Sequence, residues 1–218
     1  MTRVRVHNLA LSLDGFGTGV DQRLESPFGH AGTRLMEWFF PTPTFQAQTG
    51  DRERRPVDPA AAADDVFARR GFEGIGAEIM GSRKFGPPGW PDDPDWRGWW
   101  GEEPPFRTPV LVLTHTPREP VVFPNGTEFR FLSAEPREAL ARATELADGL
   151  DVRIGGGPST VRAFLAAGLV DLLHVVQVPV ILGRGERLWD GLEGLERGYD
   201  IEATTTPSGV THLVFSRE

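Results

Sequence analysis

Three adjacent glycines could hold a ligand against bare backbone. They occupy residues 155–157 in the stretch RIGGGPST, between an apolar run and a helical segment. Without side chains, their N–H groups can approach phosphate oxygens, and the following helix directs the positive end of its dipole at the same place. The hydroxyls of Ser159 and Thr160 can add two donors. The other explanation is a tight strand-to-helix turn with close packing, since glycine adopts conformations that other residues avoid.

Three further breaks of glycine and polar residues follow predicted strands. They are Asp14-Gly15, the run Gly81, Ser82, Arg83 and Lys84, and the run Thr114, His115 and Thr116. Ligands bind at the carboxyl ends of parallel strands, so these breaks and the glycines are expected at one edge of a sheet. Together they could form a track for a dinucleotide that carries an additional phosphate. The alternatives are that Arg83 and Lys84 form a solvated pair of cations and that the other breaks are ordinary polar loops. The spacing of glycines 155–157 matches neither G-x-G-x-x-G nor G-x-x-x-x-G-K-[ST].

Composition and charge exclude several classes of function. The chain has no cysteine, which excludes disulfides, thiolate metal sites and the His/Cys/Cys zinc centre of nucleobase deaminases. Its five histidines are scattered, so their spacing predicts no metal site. A formal net charge of −8 without a Lys/Arg-rich block argues against nucleic acid but allows a small anionic ligand. No segment resembles a secretory leader or the roughly 20 apolar residues of a membrane span, which predicts a cytoplasmic protein with no membrane partner.

Predicted strands alternate with predicted helices along the chain. Strands are predicted at residues 3–13, 77–80, 109–116, 128–133, 151–157 and 171–182, and a C-terminal hairpin turns at 207–209. Helices are predicted at residues 33–40, 58–72, 136–149 and 158–168, and residues 16–32 and 41–57 are predicted loops. Asp58 and Pro59 suit the start of the second helix. The pattern predicts one α/β domain, residues 1–218, with a mainly parallel sheet covered on both faces and an antiparallel edge at the end.

The segment GPPGWPDDPDWRGWWGEEPPF, residues 86–106, holds four of the six tryptophans. Its prolines rule out a regular helix or central strand. A loop that keeps large aromatic residues can pack on its own chain, form a subunit interface or close over a substrate. All three roles are open for this segment.

The chain resembles the dihydrofolate-reductase-like superfamily. The resemblance is carried by NLALSLDGF, EIMGSRK, VLVLTHT and RIGGGPSTVRAFLAAGLVDLLHVVQVPVILGRGERLW, which occur in the family's order. It runs from residue 3 to the end, with residues 16–75 matching loosely, and is greatest to the reductase domain of bacterial riboflavin biosynthesis and its stand-alone relatives. It implies a three-layer fold with a mostly parallel central sheet, helices on both faces and a C-terminal antiparallel edge hairpin.

The resemblance also implies a reaction and a cofactor. The cofactor is NADPH, which would give hydride to a C=N or carbonyl carbon of a heterocycle or sugar, with a ribosylamino-pyrimidine as the model substrate. Ala10 would lie near the nicotinamide carboxamide. Around the adenosine phosphates the resemblance places Gly81, Ser82, Arg83, Lys84, Thr114 and His115, and at the pyrophosphate it places Gly155, Gly156, Gly157, Pro158, Ser159 and Thr160. Arg184 and Arg187 are possible cations for a substrate phosphate; solvated loop residues are the alternative.

Two carboxylates are candidates for catalysis of the reduction. Asp14 follows the first strand and Glu37 lies on the next predicted helix, so either could donate a proton or anchor the substrate. The alternatives are a turn aspartate and a surface glutamate. Dihydrofolate reductases place an acidic residue where this chain has Leu35, which argues against folate as substrate. The family often has arginine directly after the MG pair, whereas in this chain Ser82 lies between that pair and Arg83.

Two hypotheses about function follow. The first is an NADPH-dependent reductase of a small heterocyclic substrate, without an accompanying deaminase half because the chain has no cysteine. The second is a non-catalytic nucleotide-binding or sensor protein that keeps the fold and uses the tryptophan-rich segment for assembly. A homodimer is expected only from the resemblance.

Overall fold

A nine-stranded sheet forms the centre of the protein in the computed structural model, which describes residues 2–49 and 58–217. The strands are β1 (Val4–Ser12), β2 (Phe16–Thr18), β3 (Ile75–Gly81), β4 (Pro109–Leu113), β5 (Val121–Val122), β6 (Glu128–Leu132), β7 (Asp151–Gly156), β8 (Leu172–Val178), β9 (Glu186–Arg187), β10 (Asp200–Thr205) and β11 (Thr211–Ser216). Their order in the large sheet is β10-β11-β8-β1-β7-β3-β4-β6-β5. β2 and β9 pair separately.

The middle of the sheet is parallel and both edges are antiparallel. β8, β1, β7, β3, β4 and β6 pair in parallel. The hairpin β10–β11 joins β8 in the antiparallel direction, and β5 joins β6 in the same way. The predicted mostly parallel sheet and C-terminal antiparallel hairpin are therefore confirmed. No prediction covered β5, whose two residues are too short to give a periodic signal.

Helices pack on both faces of the sheet, as predicted. They are α1 (Pro43–Thr49), α2 (Pro59–Arg70), α3 (Ser82–Phe85), α4 (Pro136–Leu146) and α5 (Pro158–Ala166). Side chains alternate between faces along a strand, so neighbours in β3 enter different cores. Ile79 packs with Ala139 of α4 and Phe164 of α5, whereas Met80 packs in an aromatic cluster on the other face. Ala68 of α2 lies in a third cluster, with residues of β1 and β8.

The start of α2 is the one that the sequence predicts. The carboxylate of Asp58 accepts a hydrogen bond from the backbone N–H of Ala60 at 2.9 Å, and Pro59 takes the first helical position. An N-cap acceptor satisfies one of the backbone donors that a helix start leaves unpaired. Ala61, Asp64 and Ala68 then form the buried face of the helix.

The helix predicted at residues 33–40 is wrong. Residues 32–41 form successive turns, in which Met36 N–H donates to Thr33 O at 2.7 Å and Phe39 N–H donates to Met36 O at 2.9 Å. Pro41 and Pro43 follow directly. Because proline has no backbone N–H to donate, a regular helix cannot continue through this segment. The helix in this region is α1, inside the predicted loop 41–57, and residues 50–57 of that loop lie outside the described residues.

The strand predicted at residues 171–182 is shorter in the structure. β8 ends at Val178, directly before Pro179, because proline has no N–H to donate to a neighbouring strand. The predicted turn of the C-terminal hairpin is confirmed, since Gly209 N–H donates to Thr206 O at 3.0 Å. No helix among the described residues is long and apolar enough to cross a membrane.

The tryptophan-rich segment 86–106 packs against its own chain. The indole N–H of Trp90 donates to the backbone oxygen of Ser82 at 3.1 Å, and the indole N–H of Trp96 donates to the backbone oxygen of Phe85 at 3.2 Å. Trp100 stacks on Phe129 of β6 with ring centroids 5.6 Å apart. Trp99 meets Trp96 edge-on at 5.1 Å, so all four tryptophans have partners within the chain, which supports the packing role among the three predicted.

Candidate functional site

The glycine run lies where three segments meet at the carboxyl edge of the sheet. β7 runs between β1 and β3, and Gly156 is paired with Met80 of β3. A Cβ at Gly81, the last residue of β3, would overlap Thr160 of α5. A Cβ at Gly17, beyond β1, would lie 2.6 Å from Pro158. The predicted association of the β1 and β3 ends with the start of α5 is present in the structure.

The three glycines meet three different requirements. A Cβ at Gly155 would overlap the carboxylate of Glu78 and lie 2.7 Å from the ammonium of Lys84, so close packing requires this glycine. Gly156 has a φ of +109° and is joined to Gly157 by a cis peptide bond. That φ lies in the region that glycine tolerates and other residues rarely adopt. Among the described residues, nothing lies within 4 Å of a Cβ at Gly157, which leaves open space beside its backbone. Close packing therefore accounts for Gly155 and backbone conformation for Gly156, whereas neither accounts for Gly157.

The first turn of α5 is not capped by a side chain. Gly157 occupies the N-cap position, and its carbonyl accepts from Val161 N–H at 3.1 Å. Pro158 is buried at the first helical position, Ser159 is exposed and Thr160 is half-buried. The first turn of α5 therefore starts next to the open space at Gly157, and it carries two hydroxyl-bearing residues. Such a helix start can bind an anion.

The two cations after β3 point in different directions. Lys84 lies beneath the glycine run, where its Nζ donates to Gly155 O at 2.6 Å and to Glu78 Oε1 at 3.2 Å. The Arg83 side chain is 75% exposed and pairs with Glu186 at 2.7 Å. Ser82 accepts the Trp90 indole N–H on its hydroxyl oxygen at 2.9 Å. The structure thus places the Lys84 side chain against the glycine run and the Arg83 side chain on the surface.

Thr114 and His115 lie at the same edge, two strands from the glycine run. β3 stands between β7 and β4, and Thr114 directly follows β4. Thr114 is buried, and its hydroxyl oxygen accepts from Thr116 N–H at 3.2 Å. His115 is exposed.

Asp14 is held by backbone groups of the loop that follows β8. Its carboxylate oxygens accept from Leu182 N–H at 3.1 Å and Gly183 N–H at 2.7 Å. Hydrogen bonding from the Ser12 side chain, with these two N–H groups, outweighs the opposing effect of burial and lowers the pKa of Asp14 to about 2. A carboxyl group with this pKa is ionised at neutral pH and is a poor proton donor.

The other predicted carboxylate, that of Glu37, lies on the surface of the protein. Glu37 is exposed and accepts only a 3.3 Å hydrogen bond from the hydroxyl of Thr33 among the described residues. Leu35 is buried in an apolar cluster with Trp38, so this segment carries no acidic side chain toward the sheet at that position. Ala10 belongs to the same cluster and is 5% exposed.

Arg184 and Arg187 are both exposed on the loop and strand that follow β8. The guanidinium carbon of Arg187 lies 4.7 Å from the centre of the Phe16 ring. Arg162 of α5 donates to the backbone oxygen of Arg187 at 2.9 Å, which places β9 beside α5. A surface cavity of about 380 Å³ contains none of the predicted site residues in its lining. The cavity is lined by Trp189, Leu192, Glu193, Gly194, Leu195, Glu196 and Phe215.

The sequence interpretation missed a buried ion group below the site. Glu78 of β3 and Arg153 of β7 face each other across paired strands, with Arg153 Nε donating to Glu78 Oε2 at 2.7 Å. Both side chains are almost fully buried. Burial raises the pKa of Glu78, but the charges of Arg153 and Lys84 outweigh it and hold that pKa below its usual range. The available signal was a glutamate in the middle of the apolar strand GIGAEIMG, because buried charges are rarely left unpaired.

Comparison with known proteins points to one family. The family model described as the RibD C-terminal domain matches residues 6–211. A protein from Shewanella sp. PV-4 that is assigned to riboflavin biosynthesis is 20% identical, with a TM-score of 0.55, and the match covers 100% of this chain and 99% of that one. A pyrimidine reductase-like protein from Corynebacterium diphtheriae is 14% identical, with a TM-score of 0.50 and coverage of 99% and 91%.

A two-activity protein is also similar in structure. It is the diaminohydroxyphosphoribosylaminopyrimidine deaminase/5-amino-6-(5-phosphoribosylamino)uracil reductase from Thermotoga maritima, 12% identical with a TM-score of 0.54. All of this chain is covered, but only 57% of the Thermotoga chain. These structures confirm the predicted fold class. No curated protein is significantly similar in sequence.

Proposed function

The chain belongs to the RibD C-terminal domain family, and we propose that it is an oxidoreductase that uses NADPH to reduce a small heterocyclic substrate. One observation carries the proposal: an uncapped helix start faces open space beside Gly157 at the carboxyl edge of the sheet. In parallel sheets this edge is where dinucleotides and their substrates bind. The family membership supports the proposed chemistry, and this geometry supports the proposed cofactor site.

The residues present fit a dinucleotide pyrophosphate. A Cβ at Gly157 would project into the open space, so the absence of a side chain keeps the backbone N–H groups accessible there. The first turn of α5 contributes its dipole, and Ser159 and Thr160 contribute hydroxyl donors. The nicotinamide would supply the hydride, and Ala10 in β1 is the predicted neighbour of its carboxamide.

This chain's own contribution is to orient the two ligands and exclude water. Asp14 holds the backbone at Leu182 and Gly183, directly before Arg184. That contact fixes the first part of the loop that leads to Arg187. We assign Arg184 and Arg187 to the phosphate of a ribosylamino-pyrimidine substrate, because both are exposed cations on this loop. The Thermotoga protein, whose printed name includes a phosphoribosylamino-uracil reductase, supports this substrate class.

The proposal is tested by turnover and by cofactor binding. NADPH oxidation is followed with a panel of pyrimidine, pterin and keto substrates, and NADPH and NADH affinities are compared by titration. Gly157→Val fills the open space and is expected to weaken NADPH binding without unfolding the protein. Gly198→Val is the matched control, since a Cβ at this exposed glycine also has nothing within 4 Å among the described residues. Unchanged NADPH affinity in Gly157→Val contradicts the site, and binding without turnover on any substrate favours the nucleotide-binding alternative.

A further inference from the structure

Lys84 is the only lysine in the 218 residues, beside 22 arginines. It lies on the short helix α3, directly after β3. Every other basic position with a permanent charge is arginine, so the cation beneath the glycine run differs in type from all the others. Lysine carries a compact ammonium with three donors, whereas arginine carries a planar fork that needs more room.

The Lys84 ammonium lies between the glycine run and Glu78. Nζ donates to Gly155 O at 2.6 Å and to Glu78 Oε1 at 3.2 Å. A Cβ at Gly155 would lie only 2.7 Å from Nζ, so even one added carbon has no room there. The aliphatic part of the side chain passes below the next glycine, with Cδ 3.9 Å from a Cβ at Gly156. Lys84 therefore contacts the backbone of the glycine run from inside the protein.

Two cations share one carboxylate at this place. Glu78 pairs with Lys84 through Oε1 and with Arg153 through Oε2. Among the described residues, Glu78 is the sole carboxylate within 4.0 Å of either cation. The neighbouring Arg83 points away and pairs with Glu186 instead. The buried group thus keeps one net positive charge directly under the glycine run.

An uncompensated buried charge is costly, and a nearby anion would relieve that cost. Burial lowers the pKa of Lys84, and repulsion from Arg153 lowers it further; the attraction of Glu78 opposes both and only partly offsets them. The Lys84 side chain is still 30% exposed, so it is not sealed from the edge of the sheet.

We propose that Lys84 is a positioning residue for the dinucleotide, because it fixes the Gly155 carbonyl from below and supplies the positive charge that the bound pyrophosphate balances. This inference rests on the proposed function. It assigns Lys84 a role through the loop rather than a direct contact with the adenosine phosphates.

A single lysine makes the test specific. Protein labelled with ¹³C,¹⁵N-lysine gives one side-chain signal, from Lys84, whose pKa is measured by pH titration with and without NADPH. Without NADPH the ammonium is expected to titrate below the usual range of lysine, and NADPH is expected to move the titration to higher pH. Linkage then requires proton uptake on binding and an affinity for NADPH that falls as the pH rises through the ligand-free pKa.

Two variants separate charge from shape. Lys84→Met is expected to weaken NADPH binding about tenfold or more and to remove its dependence on pH in this range, whereas Lys84→Arg keeps the charge in a larger planar group and is expected to weaken binding less than Lys84→Met. Arg69→Met, which removes an exposed partner of Glu73, is the control and should bind normally.

The outcomes are distinguishable. If NADPH binds the natural protein but leaves the Lys84 signal unchanged, or if a folded Lys84→Met binds NADPH equally well, this inference is overturned and the proposed function stands. If the natural protein does not bind NADPH, the proposed function fails and this inference fails with it. The titration uses the unaltered protein, so it decides the question even if Lys84→Met does not fold.

Discussion

Nε2 of His174 lies 3.0 Å from Nδ1 of His212, and both rings are buried between the sheet and α2. The direction of donation is fixed by the groups at the two ends. The backbone N–H of Asn8 donates to Nδ1 of His174 at 3.2 Å, so His174 must donate from Nε2. Nε2 of His212 then donates to Asp64 Oδ1 at 3.0 Å. Both imidazoles are therefore neutral, with the proton on Nε2.

Acidification is expected to destabilise the protein through these histidines. A second proton on His174 would face the Asn8 N–H, and burial, then repulsion from His212 and Arg70, lowers the pKa of His174 to about 3. The unfolded chain binds this proton near pH 6.5 and the native state does not, so stability falls as the pH drops from about 6.5 toward about 3.

Urea unfolding across this pH range measures how steeply the free energy of unfolding falls as the pH drops. His174→Gln is expected to reduce this slope. His115→Gln, which changes an exposed histidine, is expected to leave it unchanged. Equal pH dependence in the natural protein and His174→Gln would show that His174 does not cause the effect.

Glu78→Leu is expected to lower the free energy of unfolding by about 3–5 kcal/mol, because it leaves Arg153 and Lys84 without their anion. Adding Arg153→Met should restore part of this loss, since the pair is then replaced by apolar groups. Chemical denaturation gives both values. Glu128→Leu, which breaks a partly exposed pair with Arg130, should cost less than about 1 kcal/mol. Similar losses at Glu78 and Glu128 would contradict the buried-charge account.

Gly155→Ala and Gly157→Ala are expected to differ, although the residues are two positions apart. The Cβ of the first overlaps Glu78, and crowding of a packed core costs about 1–3 kcal/mol. The Cβ of the second enters open space, so stability should change by less than about 0.5 kcal/mol. Thermal or urea unfolding measures both. Equal destabilisation would mean that the space beside Gly157 is closed.

Asp14→Asn is expected to leave the pH dependence of kcat/KM unchanged. The pKa of Asp14 is about 2, so its carboxylate is already ionised at the pH of the assay and holds Leu182 and Gly183 rather than giving a proton. The amide oxygen of asparagine can still accept from this loop, whereas Asp14→Ala should raise KM for the substrate. Loss of the acidic limb of the profile in Asp14→Asn would instead make Asp14 the proton donor.

Local signals made part of the fold predictable from the sequence. The Asp58 cap, the strand–glycine–helix passage at residues 151–168 and the Pro-Ser-Gly turn each depend on neighbours in the chain, and all are confirmed. The turns at 32–41 were predicted as a helix because an apolar spacing typical of helices outweighed the prolines that follow.

The internal support of the site could not be found in the same way. Glu78 meets Arg153 only because β3 and β7 are neighbours in a particular register, although 75 residues separate them. His174 and His212 likewise meet through the pairing of β8 with β11. A single sequence gives the residue types in each strand but not which strands are adjacent. The position of the three glycines at a strand end could be predicted from the sequence, whereas the pairing of the buried charges beneath them could not.

The oxygen of Glu78 occupies the volume where a side chain at position 155 would begin, and the Lys84 ammonium closes the same volume from the other side. These three positions are therefore not free to diverge independently during evolution. A relative with alanine or serine in place of Gly155 is therefore expected to lack the glutamate as well, and one without the glutamate is expected to lack the lysine. Coordinated substitution at positions 78, 84 and 155 is the pattern that this arrangement predicts among relatives.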